Sequence, residues 1–244
     1  MHNVLIIAKR ELGAYFGTPL AYVFAVIFVA LTGAFAFYFG NFFDRGQADL
    51  QAFFMYHPWI YLILVPAVAM RLWAEERKTG TIELLMTLPI APWEAILGKF
   101  LAAWAFIGVA LMLTFPMWIT VNMLGRPDNG VILTSYLGSF LMAGSFLAIG
   151  SAISAITRNQ VIAFVITVVV CFGFLLSGFP PVLSFISGWA PQSIIDAVAS
   201  FSFLTRFDSI SKGVIDARDI IYFGSLIATF LFATGVIVDA KKGG

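Results

Sequence analysis

Apolar residues run in long blocks along this chain, and the charged residues collect between the blocks rather than inside them. Six blocks stand out, at residues 20–40, 58–70, 98–121, 134–156, 161–179 and 220–238. At about 1.5 Å per residue, a helix of about twenty residues matches the hydrocarbon core of a bilayer. Each block is therefore predicted to cross a membrane. The pair Thr18-Pro19 opens the first, with proline near the first helical turn. This block exceeds the apolar run of a signal peptide and is preceded by a 19-residue segment, so it is expected to be retained. The short second block extends through Leu72 and Trp73 towards a charged run, and Pro66 is expected to bend it. Pro116 is expected to kink the third. The fourth is rich in small residues (Gly138, Ala143, Gly144, Gly150 and Ser154), the composition of close helix packing.

Two further stretches have patterns of their own. Near the N-terminus, Val4, Leu5, Ala8, Leu12 and Tyr15 follow helical spacing while Lys9, Arg10 and Glu11 fall off that stripe. This predicts an amphipathic helix within residues 1–19, lying along the membrane surface. Residues 180–219 are the second case. Their first half, 180–204, holds one charge, Asp196, and is broken by Pro180-Pro181, Gly188 and Pro191. The apolar pieces are too short to cross, so two short re-entrant helices before the last span are expected, with a loop lying on the headgroups as the alternative. No repeat, low-complexity tract or linker divides the chain, and residues 1–244 read as one transmembrane domain.

Composition sharpens this picture. The chain is 61% apolar and 11% charged, against about 45–50% and about 25% for a soluble domain. That excludes a secreted enzyme, a disulfide scaffold and a disordered tail. Cys171 is the single cysteine and lies within an apolar block, so it has no internal disulfide partner. The net charge of +1 gives no reason to expect a nucleic-acid partner. Placement of the charges says more. With the N-terminus inside, nine basic residues (Lys9, Arg10, Arg71, Arg77, Lys78, Lys99, Arg158, Lys241 and Lys242) share its face, and five (Arg45, Arg126, Arg206, Lys212 and Arg218) lie opposite. Retained Lys and Arg mark the cytoplasmic side. Both termini are thus expected in the cytoplasm and residues 180–219 outside.

The interior of the blocks is poor in chemistry. No Asp, Glu, Lys or Arg stands at depth, which counts against ion-coupled carriers. Lys99, at the inner edge of the third block, is expected to snorkel to the surface. His2 and His57 lie at opposite faces, and no metal-ligand spacing occurs. His57 is read as an interfacial polar residue at the outer end of the second span. No catalytic residues, bound cofactor or metal are expected. The Leu97-Gly98-Lys99 step lacks the preceding glycine and following hydroxyl of a phosphate-cradling loop. Any nucleotide energy must come from another chain.

The most informative stretch is residues 71–97, between the second and third spans. Glu75, Glu76, Arg77 and Lys78 should end the bilayer-buried part of the second helix, and Thr79-Gly80-Thr81 should turn the chain. A short helix is expected over residues 81–88, with Glu83 near its positive end, Pro89 closing it and Pro92 starting the next. Ile82, Leu85 and Met86 share one stripe, flanked by Leu84 and Leu88. Two turns are not stable alone in water. The knob must bury itself in the bilayer surface or in the groove of a partner, and periodicity alone leaves both readings open.

At these residues the sequence resembles a known family. EERKTGTIELLMTLPI is similar to the coupling-helix region of ABC type-2 transporter permeases, where this loop seats on an ATPase subunit. KRELGAYFGTPLAYVF resembles the interfacial helix and first-span entry of the same family, and FLTRFDSISKGVIDARDIIYFGSL resembles the approach to the last span in its gliding-motility-type branch. The resemblance covers essentially the whole chain. It implies an all-α polytopic fold with an interfacial helix, six spans, a coupling helix and a re-entrant pair. It also implies a second permease subunit, alike or different, two cytoplasmic ATPases that hold the ATP and magnesium, and a prokaryotic cytoplasmic (inner) membrane. Carried over, the ATPase contact would use Gly80, Thr81, Ile82, Glu83, Leu84, Leu85 and Met86, supported by Glu75, Glu76 and Arg77, with Lys9, Arg10 and Glu11 alongside. The function implied is export driven by ATP hydrolysis. A mechanical or signalling complex, acting on an external partner protein through residues 180–219, is the alternative.

Overall fold

The computed structural model describes residues 2–82, 90–188, 190–214 and 216–240. Of the described residues 82% are helical, and none is in a strand. An N-terminal helix α1 (His2–Phe16) is followed by α2 (Pro19–Ala34), which runs on through a π-helical turn at Phe35–Phe39. After a loop come a single turn α3 (Gln51–Phe54), then α4 (His57–Ala69) and α5 (Arg71–Thr79) in one nearly continuous span. The third span is α6 (Pro92–Met112) and α7 (Pro116–Leu124), interrupted just before Pro116 as the missing proline N–H requires. Next are α8 (Asn129–Ile156) and α9 (Gln160–Leu176). Three short helices, α10 (Pro180–Ser187), α11 (Gln192–Ser200) and α12 (Phe203–Ser211), precede the long α13 (Ala217–Ala240).

Five helical stretches are long and apolar enough to cross a membrane, and six if α9 and α10, which meet at 74°, form one bent span. Helix α8 is the mast of the fold and packs against α4, α5, α6, α9, α12 and α13. Its small residues make this possible, because van der Waals packing and interhelical hydrogen bonds, not hydrophobicity, hold helices together in lipid. A Cβ on Gly138 would come within 2.5 Å of Ile210 Cγ2, and one on Gly144 within 2.9 Å of the Trp104 indole. The serines of α8 reach outward: Ser135 donates to Ser211 O at 3.2 Å and Ser145 to Phe223 O at 3.3 Å. Asp128 caps the helix by accepting from Gly130 N and Val131 N.

Three expectations need correction. Among the residues before the last span, the third short helix, α12, went unpredicted; it buries Phe203, Phe207 and Ile210, whereas α10 and α11 bury none. His57 is not interfacial but fully buried. Its Nδ1 lies 2.8 Å from Ser139 Oγ, which Tyr61 OH also meets at 2.8 Å, while Phe53, Phe54 and Phe28 pack edge-on around the ring. This short polar chain ties α4 to α8 inside an aromatic box. On α1, the face turned inward carries Val4 and Ile7, and Leu5 is exposed. The stripe is therefore Val4, Ile7, Glu11 and Tyr15, and it places Glu11 on the packed side.

Helix α1 lies against α6 at a close crossing. A Cβ added to Gly98 would sit 2.8 Å from Ile7 Cβ and 3.1 Å from Val4 O. Tyr15 stacks on Phe106 with centroids 5.2 Å apart, and Phe24 of α2 meets the same ring at 5.2 Å. Gly98→Val is expected to weaken α1 docking by about 1–3 kcal/mol, the usual range for an overpacked contact. Trypsin cleavage after Lys9 and Arg10, timed against wild type, measures the undocking.

Candidate functional site

One end of the molecule gathers the start of α1, the end of α5, the start of α6 and the end of α8. The sequence brings charge to this place for a local reason. Helix α5 carries Arg71, Glu75, Glu76 and Arg77 over two turns, and α6 begins at Pro92 with Glu94 in its first turn and Lys99 a little over a turn later. Lys99 stands on the buried stripe Ala95, Lys99, Ala103, Phe106 and Ala110, so its side chain points between helices.

Lys99 does not snorkel. Its side chain is 5% exposed, with Nζ 2.6 Å from Glu76 Oε1 on α5 and 3.3 Å from Glu11 Oε2 on α1. The ammonium also lies 5.6 Å from the centroid of the Trp73 ring. One cation thus clamps three helices. Arg10 completes the set, donating to Glu11 Oε1 at 2.8 Å. Burial works to raise the pKa of the Glu11 carboxyl, but Lys99 and Arg10 outweigh it and hold that carboxyl below the usual carboxylate range. Burial also pushes the Tyr15 hydroxyl above its ordinary value. A cleft of about 220 Å3, lined by Glu11, Tyr15, Thr18, Arg71, Glu75 and Lys99 among others, opens beside the clamp.

Both roots of the loop between α5 and α6 are pinned here. At the α5 root, Arg77 Nη1 donates to the carbonyls of Ala155 and Ile156 in the last turn of α8. Gly80 stops α5 with φ of +75°, the left-handed conformation that glycine adopts without strain. At the α6 root, Glu94 accepts from Ala91 N at 3.1 Å and from Asn3 Nδ2 at 3.0 Å, bringing in α1 again.

The positions named from the sequence fall into three groups. Glu11 and Glu76 come together on Lys99, and Arg10 joins them. Lys9, Gly80 and Thr81 are exposed; Thr81 lies 2.9 Å from the Thr79 hydroxyl, and Ile82 is half-buried against the core. Glu75 pairs with Arg71 at 3.0 Å within α5, and Arg77 holds the end of α8. Glu83, Leu84, Leu85 and Met86 lie outside the described residues, as does most of the short helix expected over 81–88. Sequence reasoning missed Lys99, although the signal was present: a lysine at helical spacing within an apolar stripe, with glutamates on the two segments able to reach it.

No group of three or more His, Cys, Asp or Glu side chains that could hold a metal occurs among the described residues. The arrangement is a set of paired charges. It can join three helices mechanically at the root of a loop.

The architecture is that of a polytopic helical membrane protein with a small-residue mast and a charge-pinned loop. The family model described as ABC-2 family transporter protein matches residues 5–238, and the chain belongs to that family. As a member of that family it is a membrane subunit of a transporter. Among curated relatives, the probable multidrug ABC transporter permease YbhS of Escherichia coli strain K12 is 37% identical over 108 residues. Its counterpart in Escherichia coli O157:H7 matches to the same degree. Each match takes in 43% of this chain and 28% of the relative, so the chain spans under a third of the length of these relatives.

Proposed function

We propose that this chain couples ATP hydrolysis in a separate ATPase subunit to export of a substrate across a prokaryotic cytoplasmic membrane, as one of two permease subunits. The observation that carries the reading is the Glu11–Lys99–Glu76 clamp at the root of the loop. A force applied to residues 80–91 enters α5 and α6 through roots that are fixed to each other and to α1. The loop then acts as a lever rather than a tether. The excess of Lys and Arg on the face of this loop supports a cytoplasmic position for it and for both termini. The YbhS relatives bear the name of probable multidrug ABC transporter permeases, which supports the export reading.

The test begins with purification of the native complex and identification of the ATPase bound to it. In proteoliposomes, Leu85→Asp and Met86→Asp are expected to leave the complex assembled or nearly so while abolishing stimulation of ATP turnover by the membrane subunit. Variants that assemble and turn over as wild type overturn the lever.

A second reading is favoured by one observation. Helices α10 and α11 bury no residue and expose Phe185, Ile194 and nearby Phe201. An external auxiliary protein seated there would receive the same movement with nothing crossing the membrane. A flux assay on the purified complex, with and without any protein that co-purifies through residues 180–200, separates the two.

A further inference from the structure

The second span is interrupted at Met70, one turn beyond Pro66, and the interruption is filled by a side chain from another helix. Ser154 of α8, fully buried, donates its hydroxyl proton to Met70 O at 2.9 Å. Its oxygen accepts from Trp73 N at 3.1 Å and from Ala74 N at 3.0 Å. In an unbroken helix, Ala74 N–H would bond Met70 O directly and Trp73 N–H would bond Ala69 O. The hydroxyl therefore stands inside the hydrogen-bond ladder, one of the recognised causes of a helix kink. The hydroxyl's one donor and two acceptor positions meet three of the backbone groups at the break. The approach of α8 is as close as it can be, since a Cβ on Gly150 would lie 2.3 Å from Ala69 Cβ. Ser151 adds a bond from Trp73 Nε1 at 3.1 Å on the same face without touching the ladder.

We propose that Ser154 is a positioning residue for coupling: a removable wedge that sets the bend of the second span. With the hydroxyl inserted, the ladder is held open at Met70. With α8 drawn away, Ala74 N–H closes onto Met70 O and the span straightens. The wedged form has three hydrogen bonds at the break and the closed ladder two, a difference of one hydrogen bond that leaves both forms within reach of a switching element. Helix α5 carries Glu76 and Arg77 and leads into the loop, so the bend is tied to the loop at one end and to the α8 mast at the other. The consequence for transport rests on the exporter reading above. The wedge itself does not.

The experiment uses the full chain in proteoliposomes with nitroxide labels at Met55 and Lys78, both exposed and on opposite sides of the break. Ser154→Ala removes the wedge and leaves the ladder able to close. Ser151→Ala deletes a buried hydroxyl three residues earlier and leaves the wedge in place. Ser154→Ala is expected to shift the label distances towards a longer, straighter form, changing the ratio of the two forms by about tenfold, the effect of losing one or two hydrogen bonds. Ser151→Ala is expected to match wild type. In the complex with its ATPase, a nucleotide-dependent change in the same distance is expected to be present in wild type and Ser151→Ala and lost in Ser154→Ala. Identical distances in wild type and Ser154→Ala overturn the wedge. A shift of equal size in both variants overturns it too, because it would mark general loosening of α8. If wild-type protein recruits no ATPase, the exporter reading fails, while the comparison without nucleotide still decides whether the wedge exists.

Discussion

Lys99→Met will destabilise the purified protein by about 3–5 kcal/mol, the usual effect of removing one partner from a buried ion pair. The size follows from what remains. Glu11 and Glu76 both face the Lys99 ammonium, at 3.3 and 2.6 Å. Without it, two carboxylates share a pocket in which Arg10 pairs with Glu11 but not with Glu76, and Glu76 already has one buried oxygen with no hydrogen-bond partner. Methionine fills similar volume and removes the cation–π contact with Trp73, so the deficit is electrostatic rather than a cavity. Thermal unfolding in detergent, with the chain's tryptophan fluorescence as the signal, reads the effect directly. The triple variant Glu11→Gln, Glu76→Gln, Lys99→Met should recover most of the stability, since a neutral set leaves no uncompensated buried charge. If Lys99→Met unfolds at the wild-type temperature, the clamp carries no energy and the lever loses its fixed root.

The same cluster explains where sequence reasoning reached and where it stopped. The spans were legible because apolar blocks of bilayer length have few other solutions, and the prolines marked real breaks: α2 starts at Pro19, α6 at Pro92 and α7 at Pro116. The family resemblance was legible for the same reason, and the match over residues 5–238 bears it out. Partners of buried polar groups were not legible, because they come from helices distant in sequence. Lys99 reads as a snorkelling residue until Glu76 and Glu11 are known to converge on it. His57 reads as interfacial until Ser139, 82 positions later, meets its ring. With Leu5 in place of Ile7 on the α1 stripe, Glu11 faces outward and no clamp is visible. In lipid the hydrophobic pattern tells a chain only where to cross; which helix faces which is decided by small residues and hydrogen bonds. Ser139, Ser151 and Ser154 on α8 carry that information, and on paper they are indistinguishable from any serine in an apolar block.

Gly150→Ala should be the most damaging single methyl in the α8 mast. The added Cβ would fall 2.3 Å from Ala69 Cβ and 3.2 Å from Thr167 Cγ2. The first contact is with a Cβ fixed to the backbone of α4, so it cannot be relieved by rotating a side chain. The helices must separate, and separation also stretches the neighbouring bonds of Ser151 and Ser154 to α5. Overpacking alone predicts a loss of about 1–3 kcal/mol, and the hydrogen bonds at the crossing add about 1 kcal/mol each if they break. The reciprocal variant Ala69→Gly with Gly150→Ala moves the methyl from one side of the crossing to the other. It should recover most of the loss, less about 1 kcal/mol for glycine inside α4. A double-mutant cycle of thermal unfolding in detergent measures this as a coupling between the two positions. Strictly additive effects would mean that α4 and α8 do not meet at Gly150, and the wedge at Ser154, one turn further along the same contact, would lose its footing with it.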